Sequence, residues 1–300
     1  MIECFGKLLE NDCQDHINSK MEYIKCNLCG SNNYIPLERE TRIVSLKPPL
    51  TLVKCKNCGF IYLNPRPPKE EIRNIYKTYN YFSQYGVMVE TYSLADYVKK
   101  RLIQLEKSKL PSRRILEVGC GTGHFLNYAH SRGWDVYGVD ISPWVGKHIK
   151  DEFNLRIFIG ELEDAKFQSN FFDVVHMNHV LEHVRNPSAT LKELSRVLKK
   201  EGILIIEVPN EFYYLRYKIR LLIGHPIFYE IPSPHLFFFS SKTLKQILSK
   251  TGFRIIKFTT RSSGGPKRKN LARELSRKIV YFLEKCLDMG NAIEIWAVKK

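Results

Sequence analysis

No apolar run in this 300-residue sequence reaches the roughly eighteen residues that a helix needs to cross a bilayer. The N-terminus, MIECFGKLLENDCQDH, carries acids where a secretory leader would have its apolar core. These two absences predict a soluble, cytoplasmic protein. Acidic residues are also scarce beside basic ones, 31 against 47, for a formal net charge of +16. Such an excess fits an anionic partner, RNA or a membrane surface, but the lysines are spread along the whole chain, as in any lysine-rich proteome. Apolar residues are not scarce. At 44% of the chain they suffice for the core of one large domain and a small one.

The rest of the sequence is organised around ILEVGCGTGHF (Ile115 to Phe125). Strand-type residues Ile115 to Val118 run into Gly119-Cys120-Gly121-Thr122-Gly123, and Phe125, Leu126, Tyr128 and Ala129 then follow a helical pattern. This is a buried parallel strand, a glycine turn and a helix start, the ligand corner of a doubly wound α/β sheet. Glycine suits a tight turn where a ligand must approach bare backbone. The dinucleotide fingerprint G-x-G-x-x-G is missing, because the third glycine comes one residue early and Glu117 stands two residues before the first. Both departures point away from NAD and towards S-adenosylmethionine.

Downstream, WDVYGVDIS reads as a second strand ending in Asp140, twenty-one residues after Gly119, where a carboxylate holds a ribose diol. LRIFIGELEDAKF gives a third strand with acids at its end, FFDVVHMN a fourth and GILIIEVPN a fifth. Phe253 to Thr260 reads as a further strand, and NAIEIWAVKK as the closing antiparallel one. With ILEVGCGTGHF, GVDIS, GELEDAKF, FFDVVHMNHVLEHV and HLFFFSSKTLKQILSKTGF in this order, the chain resembles the class I S-adenosylmethionine-dependent methyltransferases. The resemblance implies a Rossmann-like, seven-stranded methyltransferase sheet over residues 111–300.

Ahead of it stand Cys26-Asn-Leu-Cys29-Gly30 and Cys55-Lys-Asn-Cys58-Gly59, with twenty-five residues between Cys29 and Cys55. Two CxxCG units predict a small N-terminal zinc ribbon over 22–68, after a flexible stretch 1–21. Four thiolates make a closed, tetrahedral, structural site with no position left for water or substrate. Disulfides are the rival, disfavoured in a cytosolic chain, and a redox CxxC would need a surrounding βαβ unit. GFIYLNPRPPKEEIRNIYKTYNYF resembles the segment that follows the ribbon in methyltransferases carrying such a module. Residues 69–110 read as a helical linker or lid, with Tyr76, Tyr79, Tyr81, Phe82 and Tyr85 packing domain on domain or covering a sulfonium.

By resemblance, Glu117, Gly119, Cys120, Gly121 and Gly123 shape the donor pocket, and Cys120 has no chemistry of its own. Asp140 binds the ribose with Ile141 beside it. Glu161 and the Leu162 backbone border the adenine, although the family more often has aspartate at that place, and Asn178 lies where the methionine moiety is held. His179-Val-Leu-Glu182-His183 fits H-x-x-E-H, a zinc-protease pattern, but follows a strand and meets Asn186-Pro187 at once. The family's VLEHV with a following proline explains it better.

Acceptor-side candidates are His179, His183 and His235 as bases, with Tyr213 and Tyr214. Residues 210–235 form an insertion over the acceptor pocket. Residues 264–286 form a basic amphipathic helix whose stripe Leu271, Leu275, Ile279 and Phe282 is expected to pack on its own sheet, with RNA or an anionic membrane as the other options. Strand four ends in MNHV and strand five in VPN. They lack both the Asn/Asp-Pro-Pro-aromatic signature of exocyclic-amine methylation and the cysteine that attacks a pyrimidine ring. The acceptor expected is a small molecule, sugar or lipid-linked compound reached by in-line displacement. An RNA-directed enzyme using ribbon and basic helix, or a non-catalytic module on this fold, remain the alternatives.

Overall fold

The structure, a computed structural model, describes residues 21–37, 51–78, 96–108, 110–223, 235–262 and 271–300. The expectations for the N-terminal stretch, Tyr79, Tyr81, Phe82, Tyr85, residues 224–234 and residues 264–270 lie outside these.

The main sheet has seven strands: β4 (Arg114–Val118), β5 (Asp135–Asp140), β6 (Phe158–Ile159), β7 (Phe172–Asn178), β8 (Leu198–Pro209), β10 (Phe253–Arg261) and β11 (Ala292–Lys299). Their spatial order is β10-β11-β8-β7-β4-β5-β6. Strands β6, β5, β4, β7 and β8 run parallel, while β11 lies antiparallel between β8 and β10. Helices α3 (His124–Ser131), α4 (Pro143–Phe153), α5 (Pro187–Val197) and α7 (Ser241–Lys250) alternate with the strands. The first six residues of β7, FDVVHM, are all buried, as a central parallel strand requires. The expected third strand shrinks to the exposed pair Phe158–Ile159 on the sheet edge. The fifth begins earlier than Gly202, because Leu198 already pairs with Phe172.

Local chemistry fixes the helix starts. Asn186 accepts the Ala189 N–H at 3.0 Å with Pro187 at the first helical position. Ser240 and Thr243 form a reciprocal capping box for α7. Two further helices, α1 (Lys69–Thr78) and α2 (Asp96–Glu106), precede β4.

The cysteine-bearing segment forms a second sheet of β1 (Tyr34–Pro36), β2 (Leu52–Cys55) and β3 (Ile61–Leu63), all antiparallel. Its fourth strand, β9 (Phe237–Phe238), comes from far down the chain and pairs Phe237 with Tyr62 and Phe238 with Ile61. Each ladder bond of so short a strand contributes about 1 kcal/mol. Burial of Phe237 and Phe238, at 0% and 2% exposure, contributes about 1.5–3 kcal/mol each. Packing therefore holds β9 in place. One core cluster runs from Cys26, Phe60 and Tyr62 through Phe237 and Phe239 to Leu181 and Leu191, and on to Leu204, Ile206 and Val208 of the main sheet.

Candidate functional site

The glycine turn sits at the carboxyl end of β4, between β5 and β7. Gly119 has φ +75°, and a Cβ there would lie 2.2 Å from Val180 Cγ2, so this position needs glycine twice over. The Gly119 N–H donates to the Val139 carbonyl at 2.8 Å, which locks the turn to β5. Asp140, at the tip of β5, accepts the Ser142 N–H at 2.9 Å and the Gly121 N–H at 3.2 Å. Burial pushes its carboxyl up against these bonds. Glu117 is buried, and its Oε2 has no hydrogen-bond partner among the described residues. Burial first, then the Asp140 carboxylate, push Glu117 well above the usual carboxylate range. Ile141 is half-buried and Leu162 is buried at the start of a 3-10 turn. Glu161 lies beside it, its Oε2 taking Lys69 Nζ at 2.8 Å.

On the neighbouring side, the three histidines come together. His179 Nε2 is 3.2 Å from Glu207 Oε1, and its Nδ1 is 3.5 Å from Glu182 Oε1. His183 and His235 meet edge to face with ring centroids 4.6 Å apart. His235 Nδ1 lies 2.6 Å from Glu211 Oε1. The Glu182 carbonyl accepts the N–H groups of Leu236 and Phe237, at 2.8 and 3.1 Å, and so ties β9 to this cluster. Burial pulls the His179 imidazole down, but Glu182 and Glu207 outweigh it and lift it to about 10. Burial likewise opposes a charged His235, and Glu211 wins there too, raising it. Glu182, His183 and His235 bring one ligand atom each within 4.8 Å, with His179 and Glu211 already beside them as charge partners.

The model of a family described as a methyltransferase domain matches residues 90–257, more than half of the chain. The chain belongs to this family. It is an S-adenosylmethionine-dependent methyltransferase. The methyltransferase is 29% identical over 220 residues to the demethylmenaquinone methyltransferase of Staphylococcus saprophyticus, covering 65% of this chain and 93% of that one. It is 31% identical over 121 residues to the ubiquinone biosynthesis O-methyltransferase of Xanthomonas oryzae, covering 38% and 48%. A chain in a complex containing the Haloferax volcanii Trm112 methyltransferase activator shares the fold, with a TM-score of 0.51 at 16% identity over 73% of this chain and 96% of that one.

Sequence reading missed the ion network that joins the glycine-turn corner to the histidine cluster. Arg101 of α2, 3% exposed, binds Glu294 with Nε at 2.9 Å, Asn178 Oδ1 at 3.1 Å and Glu207. Its Nη1 is 3.0 Å from His176 Nε2, and His176 Nδ1 is 3.0 Å from Glu117 Oε1. Burial, and then Arg101, push His176 well below its usual range. Burial opposes ionised Glu207, but His179, Arg101 and Arg261 hold it at about 2. Arg101 sits in an ordinary-looking amphipathic helix, so no local signal marks it. A basic residue on the apolar stripe was the one available hint.

The four cysteines Cys26, Cys29, Cys55 and Cys58 place their Sγ atoms within 4.8 Å of one another. Cys26 and Cys58 are 3.5 Å apart, as are Cys29 and Cys55. Those separations are far beyond a disulfide bond and near the about 3.8 Å edge of a tetrahedron of thiolates around zinc. The cluster is compatible with a small metal-binding ribbon.

Proposed function

We propose that this methyltransferase methylates an oxygen of a small-molecule, sugar or lipid-linked acceptor, with His235 as the general base. The observation that carries this reading is the 2.6 Å contact of His235 Nδ1 with Glu211. It orients the ring and leaves Nε2 to take the acceptor's proton. His179 is less suited to that task, because both of its ring nitrogens already face carboxylates, Nε2 that of Glu207 and Nδ1 that of Glu182. The names of the quinone-pathway relatives support a small acceptor.

Bound S-adenosylmethionine supplies an electrophilic methyl group on a sulfonium. The residues present fit that donor. Asp140 stands at the tip of β5 with its carboxylate held by the amides of the turn, placed to meet a ribose diol, and the orphaned Glu117 oxygen is an acceptor for a hydroxyl or ammonium. Glu117, Gly119, Cys120, Gly121 and Gly123 would line the turn, with Ile141, Glu161, Leu162 and Asn178 around the adenine and methionine ends. The Lys69 contact engages Glu161 from outside this set. In the ribbon, Cys26, Cys29, Cys55 and Cys58 would hold one structural zinc.

Labelled methyl donor added to a cell extract, followed by separation into RNA, lipid, protein and small-molecule fractions, tests the reading. Label in the lipid or small-molecule fraction is expected. Label confined to RNA would overturn it in favour of the RNA-directed enzyme.

A further inference from the structure

Helix α8 (Leu271–Cys286) and helix α6 (Leu215–Leu222) lie against each other. Arg216 Nε donates to Glu284 Oε1 at 2.7 Å, and its guanidinium lies 5.1 Å from the Tyr281 ring centroid. The sequence predicts that the apolar stripe of α8 packs on the sheet, and the structure reverses this. Glu284 is fully buried, whereas Leu275, Ile279, Phe282 and Leu283 are exposed. The acid-bearing face of α8, with Glu284 paired to Arg216, is thus the covered one, and Leu275, Ile279 and Phe282 face out. On α6, Tyr217 faces inwards while Ile219, Leu222 and the following Ile223 are exposed, Leu222 at 86%.

We propose that this paired-helix face docks on an anionic membrane surface. The two helices carry seven basic residues against two acidic ones, and one of those acids is the Glu284 already paired with Arg216. Exposed Lys218, Arg220, Lys278 and Lys285 accompany the apolar side chains. Apolar side chains entering the acyl boundary, with cationic heads held at phosphate level, are what an interfacial helix needs. Protein interfaces deplete lysine at their centres, and two copies meeting here would bring together like charges on chains of net charge +16. Only the five residues Asn210 to Tyr214, Glu211 among them, separate β8 from helix α6, so docking would bring the acceptor side to the lipid. That purpose rests on the proposed acceptor class; the docking does not.

Flotation of the full chain with phosphatidylcholine vesicles, with and without phosphatidylglycerol, tests it without any acceptor. Binding to the anionic vesicles is expected, reduced by salt, and at least tenfold weaker in Leu222→Glu/Phe282→Glu with donor affinity unchanged. Should that variant misfold, Lys218→Glu/Lys285→Glu is expected to lose the preference for anionic vesicles. No binding to anionic vesicles, or binding indifferent to these substitutions, overturns the proposal. A dimer in sedimentation that Leu222→Glu/Phe282→Glu dissociates overturns it in favour of a second copy. The extract labelling reads the acceptor separately, so either idea can fail alone.

Discussion

Arg101 and Glu294, 193 residues apart in sequence, meet with Nε 2.9 Å from Oε2 in the interior beneath the ligand edge of the sheet. Glu207 binds the same guanidinium. Arg101→Met would leave two carboxylates buried without their cation, and chemical denaturation should show a loss of about 3–5 kcal/mol. A loss below about 1 kcal/mol would mean that Arg261 suffices to hold both.

The same network sets an acid limit. Glu207 is held at about 2 in the fold, below its unfolded value of about 4.3. Its stabilisation is therefore complete above about pH 5 and is lost as pH falls through about 2. Denaturation midpoints measured across that window should fall steadily, and Glu207→Gln should flatten the slope.

His235 must be neutral to act as a base, and its pKa is raised by Glu211. Glu182, His179 and His183 also face it. The rate should rise with pH to a plateau above the ordinary histidine range. Glu211→Gln should shift that limb to lower pH, while His235→Ala should cut kcat by about 10²–10⁴ with donor affinity kept. An unmoved limb would remove His235 from the chemistry.

Asp140→Ala should weaken donor binding by about 1–3 kcal/mol, as loss of a charged hydrogen-bond partner does. Calorimetry with S-adenosylmethionine measures this directly. Unchanged affinity would sink the ribose role.

Purified protein should contain one zinc per chain by elemental analysis. Since β9 joins the ribbon sheet next to His235, chelation should disturb activity as well as ribbon structure. A metal-free chain with an intact ribbon would rule the site out.

Parts whose chemistry is local are legible without the fold. Strand, turn and helix at Ile115 to Phe125, the carboxylate at Asp140 and the paired cysteine knuckles are read from spacing, because turn sterics and ligand geometry act over a few residues. What depends on distant neighbours was settled by the fold. It brought Phe237 beside Tyr62 to complete the ribbon sheet and gathered Arg101, His176, Glu207 and Glu294 into one network. It also left Leu275, Ile279 and Phe282 of α8 facing outwards while Glu284 of the same helix is buried against Arg216. A hydrophobic pattern fixes that a helix has two faces, but which face is covered depends on the partners that the rest of the chain supplies.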